Sequence, residues 1–155
     1  MLGSRIRRTR DGHYEVRLDP WERNLLRSLP GQLRDLLATD DPALERLYPP
    51  AYSSDDDHNA EYSRLMRDDL TAGRLSCIDV MERTIDADRL DEDQMSAWLG
   101  ALNDLRLVLG TRLDVTEEMY EQQLPDDDPR AGAFALYAYL GVLEEQVVEA
   151  LARGL

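Results

Sequence analysis

The chain has 155 residues, with 18 basic and 32 acidic side chains and a formal net charge of −14 at pH 7. This length favours a single hydrophobic core. No run of about 18 apolar residues occurs and no apolar secretion signal opens the chain, so neither membrane insertion nor secretion is expected and a cytoplasmic location is predicted. The single cysteine, Cys77, excludes an internal disulfide and a thiolate cluster for zinc or iron–sulfur.

The charge is unevenly distributed along the chain. Residues 1–18 contain five arginines and two acids and carry +3, so the remainder carries −17. We therefore predict one domain over 1–155, made of a basic hairpin arm (1–18) and an acidic helical body (19–155). The body should repel nucleic acid and favour a basic protein surface as its partner.

The arm is predicted to be a β-hairpin with a two-residue turn at Asp11–Gly12. Because an isolated hairpin is unstable, it should lie across the helices or pair with a second subunit. Its arginines could contact a partner or DNA phosphates, or they could protect an edge strand from mispairing. These candidate contact residues are Arg5, Arg7, Arg8, Arg10 and Arg17.

Capping patterns predict the first helices of the body. Asp19–Glu22 has an N-cap, a proline at the first helical position and a capping-box glutamate. Pro30–Gly31 should kink or divide the helix that follows. A short helix is predicted from Asp41–Pro42 to about Leu47, and the proline-rich, acidic stretch Tyr48–Asp57 is predicted to be a loop.

A long helix is predicted from Asp57 to about Asp88. Its apolar and small residues recur at helical spacing and are expected to form an inward stripe. The predicted stripe consists of Tyr62, Met66, Leu70, Gly73, Cys77, Met81 and Ile85.

The segment Trp98–Leu113 is too apolar for a surface helix, yet it contains charges. Its helix should start at Asp91 or Asp93 and end near Gly110. Two faces follow from helical spacing, and two faces are typical of the central helix of a bundle. The core face is Met95, Trp98, Leu102, Leu105, Leu109 and Leu113. The second face, suited to close approach, is Gly100, Asn103, Leu107, Gly110 and Thr111.

The last third predicts a short helix at Thr116–Glu118, an acidic loop at Pro125–Pro129 and a final helix to about Ala152. Its core stripe should be Ala133, Leu136, Leu140, Leu143, Val147 and Leu151. The predicted fold is therefore mainly α: a compact helical bundle with an N-terminal β-hairpin. The central and final helices should form the core, with a homodimer interface as a further expectation.

Charged and amide side chains on the central helix form a candidate polar network. Asp104, Arg106 and Arg112 are not spaced to pair with one another, so their partners should come from other elements. The network, which also includes Asn103, could be structural or could bind a ligand. A small-molecule or enzyme site around Asn103, Asp104 and Arg106 is the alternative reading.

Other reactive residue types give weak signals. Cys77 is a redox candidate, although its neighbours favour a small buried side chain. Asp55–His58 with Glu61 matches no closed metal loop, and a capped helix start explains it. His13 and His58 form no nucleophile–base pair. We therefore predict no catalytic residue, metal or cofactor.

Three blocks of the sequence, the first with 47–52 leading to 61–70, the second 98–113 and the third 128–151, resemble an actinobacterial family catalogued as a domain of unknown function. That family includes an oxidative-stress transcriptional regulator. The resemblance implies a redox-responsive regulator that cooperates with a stress sigma factor. The described member switches through an intramolecular Cys-x3-Cys disulfide, which a chain with only Cys77 cannot form.

Together these observations predict a regulator associated with transcription, not an enzyme, that binds a protein such as a sigma factor or RNA polymerase. The acidic surface or the arginine hairpin would make the contact. The alternatives are direct DNA binding through the hairpin arginines and the small-molecule or enzyme site on the central helix.

Overall fold

A computed structural model describes residues 3–48, 57–113 and 127–154, and of residues 57–59 only the backbone. The chain is mainly helical with a small antiparallel sheet, which confirms the predicted fold class. The predicted short helix at Thr116–Glu118 and most of the two predicted acidic loops lie outside the described residues.

The strands are β1 (Ile6–Arg8), β2 (Tyr14–Val16) and β3 (Arg89–Leu90). The helices are α1 (Pro20–Arg27), α2 (Leu29–Leu37), a 3-10 helix (Pro42–Leu47), α3 (Asp57–Arg83), α4 (Glu92–Leu113) and α5 (Ala131–Ala152).

The predicted hairpin is present, but its turn is longer than predicted. The Thr9 amide donates to the His13 carbonyl over 2.7 Å, which leaves three residues, 10–12, in the loop. Gly12 has a φ of 82°. The two-residue turn was therefore wrong, because a three-residue hairpin loop needs a left-handed residue only at its end, where glycine is favoured.

A third strand, which the sequence did not reveal, completes the sheet. β3 pairs antiparallel with β2, with Tyr14 opposite Leu90. The sheet order is β1-β2-β3, and β1 also contacts α5. A two-residue strand is too short to show an alternating pattern, yet Leu90 is fully buried beneath the hairpin.

The predicted starts of the first helix and of the short helix after Asp41 are confirmed. At α1, the Asp19 amide donates to Glu22 Oε2 over 3.1 Å, as a capping box requires. The predicted division of this region occurs at Ser28, and Pro30 lies in the first turn of α2, where its missing N–H costs nothing. The short helix after Asp41 is a 3-10 helix, and Asp41 Oδ1 accepts from the Ala43 amide over 2.8 Å.

Helix α3 ends at Arg83, five residues before the predicted end, and turns towards β3. The predicted inward stripe is correct at Met81 and Ile85, which are buried, but wrong at Tyr62, Met66 and Gly73, which are exposed. At 100° per residue, the direction of the stripe rotates by roughly 100° between Tyr62 and Met81. The amino-terminal half of the stripe therefore points away from the body.

Helix α4 is the central helix, as predicted, and packs against α3, α5, α2 and the 3-10 helix. Its N-cap is Asp91, whose Oδ1 accepts from the Gln94 amide over 2.7 Å. The predicted core face is buried except for Leu109, which is partly buried. The helix continues through Gly110, where a Cβ atom would lie 3.0 Å from the Tyr137 ring of α5. Gly110 therefore serves close packing and does not end the helix.

The final helix ends at Ala152, as predicted, and begins at Ala131, beyond the predicted Asp128–Pro129 start. Leu140, Leu143 and Val147 of its predicted stripe are buried. These side chains belong to one hydrophobic cluster that also includes residues of the sheet and of the helices from α1 to α4.

Candidate functional site

A groove of about 400 Å³, lined by charged and amide residues as well as small and apolar ones, lies between α3 and α4. Two glycines, Gly73 on α3 and Gly100 on α4, border the groove. At Gly100 the helices are close, because a Cβ atom there would lie 3.1 Å from the sulfur of Cys77. The lining residues are Asp69, Leu70, Gly73, Arg74, Cys77, Gly100, Asn103 and Asp104. The groove thus contains three of the residues predicted to be functional: Cys77, Asn103 and Asp104.

An ion pair between α3 and α4 forms one wall of this groove. Arg74 Nη1 donates to Asp104 Oδ1 over 2.5 Å, and Arg74 also donates to the carbonyl of Leu47. Asp104 is only 2% exposed. Burial raises the pKa of the Asp104 carboxyl, and the Arg74 guanidinium partly opposes this effect. Sequence reasoning expected a partner for Asp104 from another element but did not identify Arg74.

Cys77 is half-buried at the interface of α3 and α4. Burial raises the pKa of its thiol, the nearby Asp104 carboxylate adds to that rise, and Arg74 acts in the opposite direction. The thiolate is the reactive form of cysteine. The surroundings of Cys77 therefore favour the protonated, less reactive thiol at neutral pH.

The other two charges of the predicted network point to different elements. Arg106 Nη1 lies 3.6 Å from Glu144 Oε2 on α5, and its guanidinium lies 5.2 Å from the centre of the Tyr137 ring. Arg112 Nη2 lies 3.5 Å from Asp41 Oδ2 at the start of the 3-10 helix. All three charges pair across elements, as expected, but the structure does not bring Asp104, Arg106 and Arg112 together in one site.

The hairpin arginines have different surroundings. Arg5 Nε donates to both carboxylate oxygens of Glu22, at 2.8 and 3.1 Å, and this hydrogen-bonded pair raises the pKa of Arg5. Arg17 donates to Glu15 over 2.8 Å at the surface. Arg8 lies beside Gly154, after the end of α5. Arg7 and Arg10 are exposed.

The amino-terminal half of α3 carries an exposed apolar face, which we call the α3 face and define by Tyr62, Leu65 and Met66. Their exposed fractions are 64%, 58% and 39%. Sequence reasoning assigned Tyr62 and Met66 to the core and did not single out Leu65. A helical projection that followed the rotating stripe would have separated this half of the helix from the buried half.

A second cavity, of about 450 Å³, lies between α2, α4 and α5 and is mainly apolar. Its walls include Leu33, Leu105 and Leu140, and Arg112 stands at its rim. The sequence does not predict this cavity, because its walls come from three helices that are distant along the chain.

The described residues contain no group of three or more histidine, cysteine, aspartate or glutamate side chains placed to hold a metal ion. Residues 55 and 56 and the side chain of His58, from the motif considered for a metal, lie outside the described residues. Within the described ranges, no helix has both the length and the apolar character needed to cross a membrane.

Comparison with known proteins places this helical domain in a family. The chain belongs to the family described as Domain of unknown function (DUF2017), whose model matches residues 3–151. It is 29% identical to the oxidative stress regulator AosR of Mycobacterium tuberculosis and to that of Mycobacterium bovis, over 94% of this chain and 88% of each relative. The putative oxidative stress regulator AosR of Mycobacterium leprae is 30% identical over 72% of this chain and 59% of the relative. No solved structure matches the chain.

These relatives confirm the family predicted from the sequence. Their names support a regulatory role for this chain and favour a regulator over an enzyme.

Proposed function

We propose that the protein is a non-catalytic regulator that acts on transcription by binding a protein partner, either a sigma factor or RNA polymerase. The names of its relatives support the regulatory part of this proposal. The observation that carries the binding part is the α3 face, where Tyr62, Leu65 and Met66 are exposed together within little more than one helical turn.

Exposure of these side chains supports protein binding on energetic grounds. Single exposed apolar residues are ordinary, but neighbouring ones on one helix face leave apolar area in water that a partner could bury. Aromatic residues and methionine are also enriched in protein interfaces. A tyrosine, a leucine and a methionine at spacings of three and four residues match the anchors by which helices bind other proteins.

Direct DNA binding through the hairpin has less support. Arg5 is paired with the buried Glu22 and Arg17 with Glu15, so their charges are already compensated. Arg7 and Arg10 are the better candidates for phosphate contacts because both are exposed. A test of DNA binding should therefore replace Arg7 and Arg10 and leave Arg5 intact.

The proposal is tested by binding of RNA polymerase core, holoenzyme and isolated sigma factors, purified from the organism that encodes the chain, to the immobilised chain at physiological salt. We expect saturable binding of at least one of them, lost in the double variant Leu65→Ser/Met66→Ser. Val148→Ser, which changes a side chain of α5 that is 46% exposed, is the matched control and should bind as wild type does.

Absence of saturable binding to all of these proteins would overturn the proposal. Binding of DNA that persists in the Leu65→Ser/Met66→Ser variant and disappears in an Arg7→Ala/Arg10→Ala variant would instead support the DNA alternative.

A further inference from the structure

We infer that the α3 face, together with the adjoining groove between α3 and α4, is a docking surface for an amphipathic helix of a partner protein that has basic residues beside its apolar anchors. This inference rests on the proposed function, because it specifies the kind of partner segment that the same surface would bind.

The first argument is the separation of charge around α3. In projection at 100° per residue, Asp69 lies roughly 20° from Tyr62, and Glu61 lies next to Leu65 on the edge of the face. The arginines of this half of the helix, Arg64, Arg67 and Arg74, project roughly 120° or more from Tyr62. The exposed apolar residues are thus accompanied by carboxylates and separated from the arginines.

Two of these arginines, Arg67 and Arg74, also make contacts within the chain. Arg67 lies over the Tyr48 ring, with 4.0 Å between its guanidinium carbon and the ring centre. Arg74 is paired with Asp104. These contacts hold both guanidinium groups away from the α3 face, so the charge presented beside the apolar residues is negative.

The second argument is the continuity between the α3 face and the groove. Asp69 and Gly73 line the groove and project within roughly 20° of Tyr62, so the two surfaces share residues. From Tyr62 to Gly73 the surface runs about 16 Å along α3, which matches about three turns of a partner helix. The groove next to it is bordered by Asp69, which is exposed, and by Asn103, and their side-chain oxygens offer acceptors to a long basic side chain.

A second copy of this chain fits the surface poorly. A symmetric contact would bring Asp69 and Glu61 of one copy towards the same acidic face of the other, and like charges brought together in an interface disfavour association. The net charge of −14 adds repulsion between copies. A partner segment with arginine or lysine would be attracted by the same charges.

The test uses three synthetic helical peptides labelled with a fluorophore and titrated with the chain at physiological salt. One peptide has leucine on one face and arginine on the flanks. The second replaces arginine with glutamate, and the third replaces leucine with serine. We expect saturable binding of the first peptide and at least about tenfold weaker binding of the other two.

Substitutions in the chain locate the site. Leu65→Ser/Met66→Ser should weaken binding of the leucine–arginine peptide at least about tenfold, and Asp69→Asn should weaken it about threefold or more. Val148→Ser and Glu149→Gln on α5 are matched controls for lost apolar area and lost charge, and should leave the affinity unchanged. Circular dichroism verifies that each variant is folded.

The inference is overturned if the leucine–glutamate peptide binds as tightly as the leucine–arginine peptide, or if the α5 controls weaken binding as much as the α3 variants. Association of two copies through this face, seen as a dimer by light scattering that Leu65→Ser/Met66→Ser abolishes, would also overturn it. If the leucine–arginine peptide binds as expected and RNA polymerase and its sigma factors do not, the proposed function fails and the docking surface stands.

Discussion

Glu22 shows how one buried carboxylate can hold the hairpin arm to the body. It is fully buried and is the glutamate of the α1 capping box. Two hydrogen bonds from Arg5 compensate its charge, and the backbone amide of Arg5 donates to Gln146 of α5 over 2.6 Å. The same arginine that was a candidate for DNA contact therefore joins β1, α1 and α5.

Replacing Glu22 should be strongly destabilising. In Glu22→Ala, the guanidinium of Arg5 loses its buried partner, and breaking a buried ion pair in this way typically costs about 3–5 kcal/mol. Urea denaturation measures the loss. Glu15→Ala removes the acid of the exposed Arg17 pair and should change the free energy of unfolding by no more than about 1 kcal/mol. Equal losses in the two variants would show that the buried pair has no special role.

Cys77 illustrates how surroundings determine the chemistry of a lone thiol. Its half-buried position and the neighbouring Asp104 both raise its pKa. Oxidation and alkylation require the thiolate, so this cysteine should be slow to react at neutral pH.

The rate of alkylation by iodoacetamide, followed from pH 7 to pH 11, tests this expectation. The apparent pKa of Cys77 should lie above that of glutathione measured in parallel. Asp104→Asn should lower that pKa, because the substitution removes a negative charge and leaves Arg74 without its acidic partner. If the pKa of Cys77 in the wild-type chain were at or below that of glutathione, the expectation that this thiol reacts slowly at neutral pH would be wrong.

Among the elements, the glycines of α3 and α4 have different roles. Apart from its chain neighbours and the backbone of its own helix, nothing lies within 4 Å of a Cβ placed at Gly73, whereas a Cβ at Gly100 would lie 3.1 Å from the sulfur of Cys77. Glycine is less favourable than alanine inside a helix. The close contact with Cys77 explains why a glycine is nevertheless present at Gly100, and no such contact exists at Gly73.

Alanine substitutions should separate these two roles. Gly73→Ala should stabilise the chain by up to about 1 kcal/mol through helix propensity alone. Gly100→Ala should increase the free energy of unfolding less in the wild type than in a Cys77→Ala background, where the contacting sulfur is absent. Thermal or urea unfolding of the four proteins of this cycle, the wild type, the two single variants and the double variant, measures the difference. Equal gains in both backgrounds would mean that α3 and α4 do not approach closely at Gly100.

Local signals predicted most elements because their causes lie in neighbouring residues. The Asp19–Glu22 capping box and the two faces of the central helix depend only on spacing along the chain. β3 was missed because it exists through pairing with β2, and the α3 face was misassigned because a continuous apolar pattern does not show where the body ends. The groove could be predicted only in part. Asn103 and Asp104 are assigned to one polar network from the sequence and Cys77 is considered separately, but Arg74 pairs with Asp104 only through tertiary packing.

For the whole molecule, the basic arm and the acidic body are less separate than the sequence suggests. The charges of Arg5 and Arg17 are compensated within the chain, and the sheet is completed by β3 from the body. An exposed apolar face lies on α3 beside carboxylates. An acidic molecule with such a face is suited to associate quickly with a basic protein surface and to anchor on it through apolar contacts.

Hydrogen–deuterium exchange on the chain, free and mixed with the RNA polymerase holoenzyme of the organism that encodes it, tests the proposed binding surface most directly. We predict that protection on binding is concentrated in peptides that cover residues 60–73 of α3, and that it is absent in the Leu65→Ser/Met66→Ser variant. Protection concentrated in residues 5–17 of the arm, or no protection at a saturating concentration of the polymerase, would contradict the account.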